Sequence, residues 1–130
     1  SLRKSMFPEI FPLATASAAV KTALGTSPTR FWPFASAPQP GQPGYALPYA
    51  VWQFPYGTPE NYLGRLPDID NMAVQIDAYG ATAATARSSA AALRGAFEPH
   101  GHVVSYNGEE REPETGLYRV GFTVELWQKR

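Results

Sequence analysis

His100 and His102 bracket a glycine, and this pair of imidazoles is the nearest approach to a metal site in the sequence. A catalytic zinc takes three protein ligands and keeps one open position. No third ligand stands at a fixed spacing from the pair, so a turn from a helix into a strand is the expected reading. Asp68 and Asp70 directly follow Pro67. Paired acids there fit a turn before a strand, where Asp side chains bond nearby backbone, better than general acid–base work. Glu109, Glu110, Glu112 and Glu114 gather with Arg111 between Asn107 and Gly116, giving a local charge of −3. They lack the ligand spacing of a calcium loop. The sequence holds no G-x-S-x-G nucleophile elbow, no glycine-rich phosphate loop and no cysteine. Nucleophile-elbow hydrolases, nucleotide loops, thiol catalysis, Cys-ligated zinc and disulfides are thereby excluded. No catalytic, cofactor-binding or metal-ligating residue is assigned, and the chain is not expected to be an enzyme or to need a cofactor.

Charge narrows the choice further. In the 130 residues, eleven Lys and Arg balance eleven Asp and Glu. Nucleic-acid binders draw much of their affinity from phosphate neutralisation, which requires a basic excess. Polybasic membrane docking needs the same excess. No apolar run approaches the ~20 residues of a membrane span, and Pro8, Glu9 and Pro12 interrupt the apolar core a signal peptide would need. A neutral chain with 13% aromatic residues suits a protein that lives inside an assembly, because isolated soluble domains usually keep their net charge away from zero. The length fits one domain over 1–130, with residues 1–6 expected to be a flexible N-terminal segment.

Periodicity supplies the elements. Ile10, Leu13, Val20 and Leu24 predict a helix over 7–25 that becomes regular near Pro12 and stops at Gly25. Residues 30–35 read as an edge strand or irregular extended piece, because Pro33 cannot donate to a ladder. Residues 46–54 read as a second strand, with regular pairing only after Pro48. Two loops rich in Pro and Gly cover 36–44 and 55–70. The second carries Tyr56, Tyr62 and Leu63, and aromatic loop residues favour partner contact. Strict alternation over 71–79 predicts a half-buried strand. A stripe of Ala83, Ala86, Ala90, Leu93 and Phe97 predicts a helix over 81–98, entered at Ala81 or Thr82 and stopped by Pro99. A hairpin follows: 102–106, an acidic tip over 107–116, and a long strand over 117–127. Its Tyr118, Val120, Phe122, Val124 and Leu126 share one face, and Arg119, Thr123 and Glu125 the other. The fold class is α+β: a twisted mixed or antiparallel sheet of four to five strands, two helices on one face, and a protruding acidic hairpin.

At this point a resemblance enters. Val74-Gln75-Ile76-Asp77-Ala78-Tyr79, the Ala-rich helix to Phe97, the charged hairpin and the Tyr118–Trp127 strand together resemble the tail-terminator, or tail-completion, proteins of long-tailed bacteriophages of the siphovirus or myovirus type. The Pro48–Phe54 strand and the N-terminal helix fall in the same order, so the likeness runs from about Phe7 to Trp127. It implies a hexameric ring that caps the tail tube, joins it to the head–tail connector or stopper protein, and lets genomic DNA pass without sequence-specific contact. It also implies a virion protein of the tail neck, assembled in the host cytoplasm, with no membrane contact. On that reading Gln75, Asp77, Tyr79, Arg119 and Glu125 are expected at a subunit interface. Glu109, Glu110, Glu112 and Glu114 are expected toward the lumen or a ring contact, and Tyr56, Tyr62 and Leu63 in a partner-contact loop. A neck or tail-tube subunit of the same virion is the alternative, followed by an unrelated small-molecule-binding α+β domain.

Overall fold

The alternation after Asn71 builds the middle of the sheet. In the computed structural model, which describes residues 10–26, 29–54 and 71–127, strand β3 runs Asn71–Gly80. Its partners are β2 (Tyr49–Gln53) on one side and β5 (Tyr118–Trp127) on the other, both antiparallel. Strand β1 (Phe31–Pro33) lies parallel to β2 at one edge, and β4 (Gly101–Arg111) lies antiparallel to β5 at the other. The five-stranded mixed sheet has the order β1-β2-β3-β5-β4. The α+β class is as expected from sequence.

Register decides what is buried. Val74 faces Val124, Ile76 faces Phe122 and Ala78 faces Val120. Side chains directly opposite in a ladder share a face, so one apolar face forms from Ala50, β3 and β5, and each of these residues is at most 9% exposed. Helix α3 (Ala83–Phe97) covers it with Ala86, Ala90, Leu93 and Phe97, and the small alanines let the helix lie close to β3 and β5. Phe31 and Phe97 meet at 6.1 Å between ring centres. Fully burying a side chain of this size stabilises by ~1.5–3 kcal/mol, so Phe31, Phe97 and Phe122 are major contributors to the core. Thr82 starts α3 as a capping box, accepting from Thr85 N–H at 3.1 Å while Thr82 N–H donates to the Thr85 hydroxyl at 3.2 Å.

Two helix expectations are corrected. The N-terminal helix is broken in two, α1 (Ile10–Thr15) and α2 (Ala18–Leu24). The Thr15 hydroxyl turns back to the Phe11 and Pro12 carbonyls, and Ser17 starts a new helix by accepting from Val20 N–H at 3.3 Å. Short hydroxyl side chains compete with the helix backbone in this way. Gly25 ends α2 as expected, at a φ of +93° that an L side chain adopts only with strain. The third helix stops at Phe97 and hands over to a 3-10 turn, Glu98–His100, in which Pro99 is accommodated.

The largest correction is at the hairpin. Strand β4 does not stop at Tyr106 but continues to Arg111, so Glu109 and Glu110 sit in the ladder opposite Val120 and Arg119. Only Glu112 and Glu114 belong to the turn. The expected acidic tip is therefore split, for a reason given by its ion pairs.

Candidate functional site

The sheet face opposite the helices carries the polar half of every alternating strand. Tyr49, Tyr79, Arg119 and Glu110 stand in one row across β2, β3, β5 and β4, and Val51, Asp77, Gly121 and Gly108 in the next. Gln53, Gln75, Thr123 and Ser105 form the third. No described helix covers this face.

Its centre is an ion-pair network. Arg119 Nη1 donates to Asp77 Oδ1 at 2.9 Å, and Arg119 Nη2 donates to Glu110 Oε2 at 2.7 Å. Gln75 Nε2 donates to the other Asp77 oxygen at 3.1 Å. Both carboxylate oxygens of Asp77 are thus satisfied, and the residue is 5% exposed. The guanidinium is held above its ordinary range, chiefly by the bond to Glu110, against the opposing cost of desolvation, with Asp77 adding to the rise. Gly121 makes the network possible. A Cβ at that position would collide with Asp77 Oδ1 and stand 3.1 Å from Arg119 Nη1. Beside it, Asn107, the unmatched residue of a β-bulge, donates through Nδ2 to the Thr123 hydroxyl at 3.0 Å and accepts from Ser105 at 3.1 Å.

An aromatic row adjoins the network. Tyr49 and Tyr79 stack with ring centres 5.1 Å apart and planes at 14°, and Tyr45 leans on Tyr49 at 6.1 Å. Burial, then the negative charges of Asp77 and Glu112, pushes the Tyr79 hydroxyl up to about 12. Tyr49 rises through burial, then through Tyr45 and Glu112. Both rings stay neutral at physiological pH, apolar on their faces and able to hydrogen-bond at their tips.

Gln75, Asp77, Tyr79, Arg119 and Glu125 are therefore brought onto one surface, but in different states. Asp77 is locked inside the chain, whereas Gln75, Tyr79 and Glu125 are half-buried. Glu125 Oε1 lies 3.6 Å from His102 Nε2. The four glutamates divide. Glu109 turns to the helix side and takes Arg87 in a forked ion pair at 2.7 Å, which holds its carboxyl below the usual range. Glu110 belongs to the outer network, and Glu112 accepts from the Thr115 hydroxyl at 3.1 Å in the turn. Tyr56, Tyr62 and Leu63 lie outside the described residues, as do Asp68 and Asp70. Among the described residues no group of three His, Asp or Glu is placed to hold a metal ion. The arrangement suits binding rather than bond-making.

Sequence reasoning overlooked Tyr45, Tyr49, Gly121 and Arg87. Gly121 did carry a signal, since a lone glycine inside an alternating strand marks a close approach. The pairing of Arg87 with Glu109, 22 positions away, left none.

The family model described as "Tail completion protein gp17" matches residues 8–129. A solved structure titled "Virion of native gene transfer agent (GTA) particle" contains a chain similar in fold, with a TM-score of 0.58 and 14% identity over 93% of this chain and 92% of that one. A search of the curated proteins gave no match.

Proposed function

The chain belongs to the tail completion protein gp17 family, which makes it a structural, non-enzymatic protein of the phage tail and of the virion, and on that premise we propose that it is the tail terminator. In this reading, copies of the chain close head to tail into a ring that caps the finished tail tube and joins it to the head–tail connector. The resemblance of the sequence to ring-forming tail terminators suggests a hexamer. The virion named by the structural neighbour's title is in keeping with assembly beside other virion proteins.

The observation that carries the reading is the outer sheet face. It is rich in half-buried tyrosines, and its central charges are already paired within the chain. A surface of this kind loses little on desolvation and contributes aromatic area on contact. Gln75, Tyr79 and Glu125 are its contacting residues, with Arg119 held in place by Asp77 and Glu110. The turn bearing Glu112 and Glu114 faces the lumen, where negative charge repels DNA phosphate and keeps the passage open. With Glu112 and Glu114 neutralised, rings still form while DNA delivery stalls; loss of rings instead would place the turn in a subunit contact.

Negative-stain images of the purified protein, with sedimentation velocity, test the whole proposal. Discrete rings are expected. Open-ended stacks would move the assignment to a tube subunit, and a monomer that also fails to bind tail tubes or connectors would refute it.

A further inference from the structure

Four large hydrophobic side chains are left exposed among the described residues, three of them at the edges of the sheet. They are Phe11, Phe34, Val104 and Tyr106, at 43, 64, 46 and 61% exposure. Val104 and Tyr106 lie on β4, one edge of the sheet. Phe34 follows β1, the other edge, and its N–H continues the ladder to Trp52 O at 2.8 Å. Four strand spacings, roughly 19 Å, separate the two edges.

Each edge has a distinct form. Helix α3 lies over β3 and β5 and hardly reaches β4, so β4 projects beyond the helix layer. Between them runs an open groove of about 280 Å³, lined by Ala90, Ala91, Tyr106 and Val120, with Phe122 buried beneath. Its rim cations are already neutralised or stacked: Arg87 on Glu109, Arg94 on Glu98 and over the Tyr106 ring at 5.7 Å. The groove therefore selects an uncharged apolar group. It falls short of the ~300–1,000 Å³ usual for small-molecule sites but suits one aromatic ring. The opposite edge presents such a ring. Phe34 is followed by Ala35 at a φ of +66°, a left-handed conformation rarely taken by a residue with a Cβ. Strain of this kind persists where the surroundings impose it, and it clusters at functional turns.

We infer that the Phe34 turn of one subunit inserts into the α3–β4 groove of a second copy of this chain, forming the lateral joint of the ring. The inference rests on the ring reading above and specifies how the copies meet. A knob on one edge and a socket on the other make a heterologous contact, the type that closes into a ring when its rotation permits.

The test uses two full-length variants at exposed positions: Phe34→Glu, which spoils the knob, and Ala91→Trp, which fills the socket. Circular dichroism and melting verify that both fold as the wild type. Each variant alone is expected to raise the protein concentration at which rings form by roughly a hundredfold, the equivalent of one buried aromatic ring per joint. Mixed one to one, they retain a single working joint, the Ala91→Trp knob in the Phe34→Glu socket, and should give heterodimers that do not grow. Rings from both single variants at the wild-type concentration would overturn the inference and leave the ring reading intact. Two inactive variants that stay monomeric when mixed would also overturn it, since their contact is then not knob into socket. A monomeric wild type at high concentration would overturn both.

Discussion

Replacing Arg119 with methionine would remove the cation from Asp77 while keeping the apolar stem. The side chains of Asp77 and Arg119 are 7% and 18% exposed, so the pair is close to buried. Breaking a buried pair from one side costs ~3–5 kcal/mol, because the remaining charge loses its partner. Asp77 keeps the Gln75 amide at 3.1 Å, which lowers the expected loss to ~2–3 kcal/mol. Asp77→Asn should cost less, ~1–2 kcal/mol, since Arg119 retains Glu110 at 2.7 Å. The double variant should lose ~1.5 kcal/mol less than the sum of the two, the signature of a direct contact. In a chain of this size each kcal/mol is worth roughly 3–5 °C, so Arg119→Met should melt about 10 °C early. Urea unfolding followed by tryptophan fluorescence, repeated at two protein concentrations to separate subunit dissociation, measures all three losses. A coupling below ~0.5 kcal/mol, the value of an exposed pair, would refute the claim that this network is the rigid centre of the outer face.

Gly121→Ala should reproduce much of the Arg119→Met loss, about 2 kcal/mol, by forcing Asp77 and Arg119 apart without removing either charge; wild-type urea stability in this variant would show that the pair has room to shift. Tyr79 titrates near 12 in the folded chain and near its ordinary value of 10.0 when unfolded, so its contribution is complete below pH 10 and is lost as pH rises from 10 to 12. For a half-buried ring screened by water that contribution is ~1 kcal/mol, and Tyr79→Phe should flatten the stability profile across that interval. Ser89 Oγ is buried with no hydrogen-bond partner, so Ser89→Ala should stabilise by about 1 kcal/mol; a loss of stability on chemical denaturation would mean that the hydroxyl has found a partner.

The sheet was legible where one rule acted alone. Alternation over residues 71–79 and 118–126 located β3, β5 and the two faces, because only one side of each strand is buried. The Thr82 cap and the Ala86, Ala90, Leu93 and Phe97 stripe located α3. Illegible features depended on residues far apart in the chain. Ser17 reads as one more small residue in a helix until its hydroxyl is seen to cap α2. Glu109 and Glu110 read as a solvated tip because Arg87 and Arg119, their partners in the fold, lie 22 and 9 positions away. For the candidate site, sequence alone brought Gln75, Asp77, Tyr79, Arg119 and Glu125 to one face, since period 2 fixes sides. It did not separate Asp77, which is enclosed, from Tyr79, which is available.

The charge balance acquires a structural meaning through β4. Consecutive glutamates on a strand point to opposite faces, so Glu109 is tied to α3 through Arg87 and Glu110 to β5 through Arg119. The ladder with β5 holds a strand that overhangs the helix layer and has little apolar cover of its own, and the two ion pairs tie its side chains to the neighbouring elements. An apolar strand in that place would be expected to collapse onto Ala90 and Ala91 and close the groove, because burying the exposed area is favourable. The forked Arg87–Glu109 pair instead bridges the two walls, and Ala91 and Tyr106 are left exposed where an incoming aromatic ring can reach them. The same arrangement accounts for Gly108, whose φ of +98° sits at the bulge where β4 bends. Charge in this chain thus serves geometry within the subunit, and it leaves the apolar edges, beside the outer face, open for contact between subunits.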